Sequence, residues 1–410
     1  LYKDFVMIGE LALNGGLRHV NGVMPLLISA MQKGEKKFVI PSANAAEAGY
    51  IDGIDVYAFD SLKDVVDFLN GAPAEPVKKR GFEAAKREMR YDVDFADVKG
   101  QAVAKRAIEI AVAGGHNVLM SGPPGAGKTM LAKCVPTIMP DMTFEEAVEV
   151  TKIHSVAGVL DASEGIVAVR PFRSPHHTAT VPALIGGGAK ARPGEVSLAH
   201  NGVLFLDEMP EYSRRTLETL RQPLEDKKVF VSRVMHSVEY PANFMLVASM
   251  NPCPCGNYGS RTQTCRCTAA QIHNYLAKLS GPLLDRIDLL IEVDGVEYAE
   301  LRGKGGSESS AAVKERVERA RAVQRARFAG TGINTNAQMN AKDMAKWCVV
   351  DENGERLLKR AFDKMGLTAR AAARILKVAR TIADLAGEEN ILPVHLAEAI
   401  QYRNTERKYI

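Results

Sequence analysis

The 410-residue sequence predicts an α/β fold: a phosphate-loop domain on a parallel sheet, followed by a C-terminal block of helices. Three observations predict it. Gly122–Thr129 reads GPPGAGKT and meets the template G-x-x-x-x-G-K-[ST] at every fixed position, between an apolar run (Asn117–Met120) and a helical run (Met130–Val135) limited by Pro136. Two more apolar runs, Gly202–Leu206 and Phe244–Met250, end in Asp207-Glu208 and in Asn251, as strands buried on both faces do. Beyond Leu301 only helical patterns follow.

Composition sets limits. Hydrophobic residues make up 46% and charged residues 25%, the balance of a globular chain with ample core. A formal charge of +4 is too small to mark a nucleic-acid binder without a local basic patch. No apolar run reaches the length of a membrane span and no secretory pattern opens the chain, so a cytoplasmic protein without membrane contact is expected. Leu1 stands inside a strand-like run, and the natural protein is expected to extend further on that side.

The elements follow in order. Residues 1–70 read as a small α/β unit: strand-like Phe5–Ala12, helix Val23–Lys33 closed by Gly34, strand Phe38–Pro41, helix Ala43–Gly49 and strand Val56–Phe59. Ser61 then caps helix Leu62–Leu69, whose apolar face is Leu62, Val65, Val66 and Leu69. Residues 71–94 carry prolines and glycines and read as a linker, whose basic run Lys78, Lys79 and Arg80 reads as solvated or as a contact for an acidic partner. The core spans 95–300. In it Phe95–Gln101 precedes the alanine-rich helix Ala102–Ala113, a segment of the kind that flanks an adenine. Residues 301–410 form a helical lid: Ala311–Ala329, Ala341–Val349, Glu355–Met365, Ala369–Ala386 capped by Thr368, and Pro393–Tyr402.

The phosphate loop sets the chemistry. Gly122, Gly125 and Gly127 allow backbone conformations closed to other residues and turn N–H groups towards an anion, with Pro123, Pro124 and Ala126 between them. The following helix, through Met130, adds its positive N-terminal end. Lys128 is expected to reach the β/γ-phosphates of ATP, and the Thr129 hydroxyl and Asp207 to hold Mg²⁺. Glu208 is placed to orient or deprotonate the attacking water, and Asn251 to bond the γ-phosphate or that water. Arg286 precedes another apolar strand within Leu283–Val293; it reads either as a cation reaching a neighbouring subunit's γ-phosphate or as a surface partner of Asp285 or Asp288. Arg370, in the first turn of its helix, is expected to swing onto the nucleotide from the lid, with Arg374 one turn on as the alternative.

Cys253, Cys255, Cys265 and Cys267 form two C-x-C pairs just after Asn251. They read as one structural Zn²⁺ site, or as free thiols or a labile disulfide; four thiolates leave no open position for hydrolytic chemistry. His176 and His177, on an extended segment, are expected on opposite faces, bonded locally. The other reading puts them in a central pore beside Lys190, Arg192 and Arg233, touching a polymer backbone. Trp347 and Cys348 read as core, and Arg316, Arg319, Arg321, Arg325 and Arg327 as a solvated helix face interleaved with Glu315 and Glu318.

The segment GELALNGGLRHVNGVMPLLISAMQKGEKKFVIPSANAAEA resembles the C-terminal half of a Lon-protease-like domain. The place that resemblance assigns to a catalytic lysine is Met24, and the serine-bearing half is absent, so no peptidase is implied. The phosphate loop, strand-end DE, strand-end Asn and helical lid together resemble AAA+ ATPases. The insert FRSPHHTATVPALIGGGAKARPGEVSLAHNG and the alternating segments Lys228–Ser232 and Ser237–Tyr240 resemble the helix-2 insert and pre-sensor hairpin of the clade holding the magnesium-chelatase motor and the MCM helicases. The strings AHNGVLFLDE, MNPCPCG, GPLLDRIDL and ARILKVARTIADL resemble the ComM/YifB, or Mg chelatase-like, family over nearly the whole chain.

That resemblance implies an ATP- and Mg²⁺-dependent homo-hexameric ring that drives branch migration of DNA in recombination or natural transformation. In it Arg286 acts across the subunit boundary and Arg370 from the lid. The alternative it implies is a chelatase-like motor that remodels a protein partner, although no porphyrin pocket is marked. A scaffold that binds ATP without turnover is the third reading, and Glu208 and Arg286 argue against it.

Overall fold

A computed structural model describes residues 2–88, 91–161, 163–188, 191–232, 237–259, 263–295 and 308–403. Its centre is a five-stranded parallel sheet in the order Leu289–Glu292, Val118–Ser121, Met245–Met250, Val203–Leu206, Phe172–Arg173. Side chains alternate between its two faces. Val118, Met120, Val203, Phe205 and Val247 join a core with helices Ala102–Gly114, Lys128–Ile138, Ser310–Arg327 and Ala369–Ala386. Leu119, Leu204, Leu206, Leu246 and Ala248 join a second core with Tyr212, Leu217, Leu224, Tyr275 and Leu283. Cover on both faces explains why these strands read as unbroken apolar runs. Because the strands are parallel, Ser121, Leu206, Met250 and Glu292 all end at one edge.

The phosphate-loop helix does not stop at Pro136 but runs Lys128–Ile138. Proline in the last turn removes one N–H, and the Thr137 hydroxyl donates to the Cys134 carbonyl at 2.6 Å, so the turn closes regardless.

The N-terminal unit is a parallel sheet of Val6–Met7, Lys37–Pro41 and Asp55–Phe59. The expected Phe5–Ala12 strand is split: Val6–Met7 pairs in this sheet, whereas Glu10–Leu11 turns away to form a hairpin with Leu17–Arg18. Ser61 caps Leu62–Leu69 by accepting from the Asp64 N–H, but of that helix's apolar face only Val65 is buried, with Leu62 and Val66 43% and 46% exposed. Met24 is fully buried, and its N–H donates to Glu47 at 3.0 Å. The unit shares its core with Ala147 and Val150 of helix Phe144–Ala157.

Within residues 71–94 the basic run is not simply solvated. The segment includes helix Phe82–Glu88, and Val77 and Arg80 donate backbone N–H bonds to Val56 and Gly49 at 2.7 and 2.9 Å. Lys79 donates to the Ile54 carbonyl at 3.1 Å and also to that of Ile51, and Arg80 to the Ser163 carbonyl at 3.0 Å. Carbonyls at loop ends supply what water would otherwise give these cations.

The C-terminal helices are Ser310–Arg327, Ala341–Trp347, Glu352–Met365, Ala369–Ala386 and Pro393–Gln401. They meet the core along helix Ala102–Gly114 and at the edge of the sheet opposite the phosphate loop. Gln324 donates to the Ala113 carbonyl at 3.0 Å, His116 Nε2 lies 2.8 Å from the Thr381 hydroxyl, and the Leu290 N–H donates to the Tyr402 carbonyl at 2.8 Å. The basic helix is only partly a solvated face: Arg316 pairs with Glu109 and Glu308, and Arg327 with the buried Asp384 at 2.5 Å. Arg319 and Arg325 form the exposed pairs with Glu315 and Glu318. Among the described residues no helix is long and apolar enough to cross a membrane.

Asp288 anchors this junction. It is buried, pairs with Arg374, accepts from the Asn117 N–H at 2.9 Å and lies 3.7 Å from His116. Burial alone would raise its pKa; the Arg374 charge, with His116 and the Asn117 N–H beside it, outweighs burial and holds the carboxyl well below the usual range. A depressed pKa contributes stability above the unfolded value of about 3.9 and loses it as pH falls below that. Asp288→Asn should therefore cost about 3–5 kcal/mol in urea unfolding at pH 7, with the deficit shrinking below about pH 4. A variant as stable as the parent at pH 7 would remove Asp288 as the anchor.

Candidate nucleotide site

Gly122–Gly127 connects strand Val118–Ser121 to helix Lys128–Ile138. Gly125 and Gly127 have φ of 78° and 86°, the left-handed region that side chains disfavour. Gly122 is fixed differently: a Cβ there would lie 2.1 Å from the Val293 carbonyl oxygen. Ala126 is buried, Met130 is exposed on the first turn of the helix, and Pro124 faces Gly256 of the cysteine loop.

Lys128 folds back over the loop. Its ammonium donates to the carbonyls of Gly122 and Pro123 at 2.6 and 2.9 Å and to Asn251 Oδ1 at 3.1 Å. Burial lowers its pKa, against the opposing pull of the Asp207 and Glu208 carboxylates. The Thr129 hydroxyl donates to Asp207 Oδ2 at 3.0 Å. The other Asp207 oxygen accepts from the Ser249 hydroxyl and, at 3.1 Å, from the Glu208 N–H, which also lies 3.2 Å from Ser249 Oγ. Thus Lys128, Thr129, Asp207, Glu208 and Asn251 meet at one sheet edge, where donors for phosphate face a carboxylate and a hydroxyl suited to a hard cation. Sequence reasoning missed Ser249. Its signal was a small polar residue two positions before Asn251 in an otherwise apolar strand.

Glu208 has φ 50° and ψ 47°. A non-glycine residue in the left-handed region carries strain, here held by the bonds to its own N–H.

Arg286 lies elsewhere. Its guanidinium donates to the carbonyls of Arg221 (3.1 Å) and Pro282 (2.6 Å) and pairs with Glu225, not with Asp285 or Asp288. Asp285 instead faces Arg370 at 3.8 Å, and Asp288 holds Arg374. Asp288 immediately precedes strand Leu289–Glu292, whose register sets Leu289 beside Val118 and Glu292 beside Ser121. At 3.3 Å per residue, the edge carrying Arg286 and Arg370 is about 15 Å from the phosphate loop of the same chain. Arg370, its side chain 73% exposed, therefore does not reach its own nucleotide site in this arrangement.

His176 and His177 are not on opposite faces. Their rings lie side by side with centroids 4.0 Å apart and planes tilted by 34° because the chain turns there, and His176 Nδ1 lies 2.9 Å from the Thr178 hydroxyl. Arg192 is exposed on a two-residue strand, while Lys190 and Arg233 lie outside the described residues. The four loop cysteines converge: their sulfurs all lie within 4.8 Å of one another.

Family models described as "Magnesium chelatase, subunit ChlI", "Magnesium chelatase, subunit ChlI C-terminal" and "Subunit ChlI of Mg-chelatase" match residues 94–301, 307–403 and 1–44. The competence protein ComM of Haemophilus influenzae is 45% identical over 406 residues, covering 98% of this chain and 78% of that protein. The uncharacterized protein YifB of Salmonella typhimurium is 42% identical over 412 residues, covering 100% of this chain and 79% of that protein. A magnesium-chelatase 67 kDa subunit of Chlorobaculum parvum is 27% identical over 167 residues, 39% of this chain and 23% of that protein.

Proposed function

The chain belongs to the ComM/YifB, Mg chelatase-like family of AAA+ ATPases, and from that membership we propose a Mg²⁺-dependent ATPase ring motor that works on DNA. The observation that carries the reading is the division of groups between two sheet edges. Lys128, Thr129, Asp207, Glu208 and Asn251 stand at one, and Arg286 and Arg370 at the other. A triphosphate gripped at the first edge can meet those arginines only on a second copy, so the site is completed by assembly, as a hexamer. Lys128 would bind the β/γ-phosphates, Thr129 and Asp207 would hold Mg²⁺, and Glu208 would orient the attacking water while Asn251 senses the γ-phosphate. Arg286 and Arg370 would neutralise charge on the neighbour's phosphate, with Arg374 kept for the structural pair with Asp288. In this reading the core spans 95–300, the helices 301–410, and the four loop cysteines hold a structural zinc ion rather than a catalytic one.

Kinship to a protein named for competence accords with DNA as the polymer, and branch migration is the work this proposal assigns to the motor. The shorter likeness to a magnesium-chelatase subunit favours a second reading, a motor that remodels a protein partner. ATP hydrolysis measured with forked and four-way DNA separates the two. Stimulation of about tenfold that falls steeply between 50 and 200 mM salt is expected, since phosphate contacts release counterions. An ATPase that ignores every DNA structure would overturn the DNA reading.

A further inference from the structure

The cysteine loop sits against the phosphate loop at two points. Asn251, two residues before Cys253, holds Lys128 at 3.1 Å. Gly256, with φ 80°, lies so close to Pro124 that a Cβ there would come within 2.5 Å of the proline Cδ. Between these contacts, Cys253 Sγ lies 3.4 Å from Cys255 Sγ and 3.7 Å from Cys265 Sγ, and Cys255 and Cys265 are also 3.7 Å apart. A disulfide would require about 2.0 Å. A tetrahedron of four sulfurs each about 2.3 Å from one zinc ion has edges of about 3.8 Å; these three distances match it, and Cys267 Sγ lies within 4.8 Å of the other three sulfurs. A cluster of several irons needs its cysteines spread around a larger inorganic core. The Tyr258 N–H donates to Cys253 Sγ at 3.3 Å, as a thiolate ligand accepts, and Cys253 is fully buried.

We propose that Cys253, Cys255, Cys265 and Cys267 form a one-ion zinc centre that locks the Pro124 arm of the phosphate loop, so that nucleotide affinity depends on the metal. The ion has no open position and does no chemistry. It fixes a loop that would otherwise sample many conformations, and through Gly256 and Asn251 it fixes the arm and the lysine that receive phosphate. Binding energy that would go into ordering the loop is then available to the nucleotide. Coupling of this kind is reciprocal, so bound ATP slows zinc loss.

The inference rests on the nucleotide-site reading, and the test keeps the two apart. The full chain, purified without chelator, should hold one zinc per chain by elemental analysis and retain it through dialysis against EDTA. Release by a mercurial should weaken binding of a fluorescent ATP analogue by about tenfold, restored by Zn²⁺ after thiol reduction, and ATP should slow the release. Gly256→Ala should keep one zinc per chain yet weaken the analogue by a similar factor, because its new Cβ displaces Pro124. Iron or no metal in the purified chain would refute the zinc centre. Unchanged affinity both after release and in Gly256→Ala would refute the lock. A zinc-loaded chain that binds no nucleotide would overturn the ATPase reading itself while leaving the metal site standing.

Discussion

Arg286→Ala is expected to slow ATP hydrolysis by about 10³–10⁵-fold while leaving ATP binding close to that of the parent. The split follows from geometry. The Arg286 side chain is 15% exposed and directed by Glu225 and the carbonyls of Arg221 and Pro282, at the edge opposite its own phosphate loop. In the proposed ring it would contribute nothing to binding in its own chain and would act on a neighbour's phosphate, where charge grows as the reaction proceeds. A mixing experiment tests the direction of action. Chains carrying Arg286→Ala and chains carrying Lys128→Ala should each be nearly inactive alone. Together they should recover part of the rate, because some boundaries then join an intact lysine to an intact arginine. A purely structural Arg286, tied to Glu225 and the two carbonyls, would behave otherwise: its removal would lower stability and leave turnover of the folded chain unchanged. Wild-type hydrolysis by Arg286→Ala, or no recovery on mixing, would refute the shared site.

Much of the core was legible because its signals are local. Full burial of strands Val118–Ser121, Val203–Leu206 and Met245–Met250 leaves uninterrupted apolar runs, and polar residues mark where each leaves the sheet. Caps read equally well: the Thr368 and Ser61 side chains accept the N–H bonds of Ala371 and Asp64. What stayed hidden depends on distant segments meeting. Arg286 has acidic neighbours at 285 and 288, yet each is claimed by the C-terminal helices, Asp285 by Arg370 and Asp288 by Arg374, which leaves Glu225 for Arg286. Nothing in a helical pattern says at which edge of a sheet the helix docks, so Arg370 was read onto its own nucleotide. The proline- and glycine-rich composition of residues 71–94 concealed a segment tied down through Val77, Lys79 and Arg80. Ser249 escaped notice because one hydroxyl in an apolar strand gains meaning only when Asp207 lies beside it.

Glu208→Gln should lower hydrolysis by about 10²–10⁴-fold and leave the chain able to bind ATP and assemble. The substitution keeps the shape of the side chain and removes the charge that, in the proposed role, would orient or deprotonate the attacking water. Its backbone argues that the position is built for a task. Strand Val203–Leu206 ends at Asp207, and the next residue turns into the left-handed region at φ 50°, a conformation costing about 1–3 kcal/mol for a residue other than glycine. Ser249 and Asp207 compensate by accepting the Glu208 N–H at 3.2 and 3.1 Å. Ser249 thus holds Asp207, the proposed cation ligand, and together the two aim the residue beside it. Asp207→Asn should therefore act differently, weakening Mg²⁺ and ATP binding as well as turnover, because it removes the charge proposed to hold the cation and one acceptor oxygen of the set that serves Thr129. Ser249→Ala should fall between them: ATP binding nearly unchanged, kcat reduced, and turnover not regained by added Mg²⁺. If Glu208→Gln hydrolysed ATP at the parental rate, the strained turn would have to be explained without catalysis, and water activation would have to be assigned to another group.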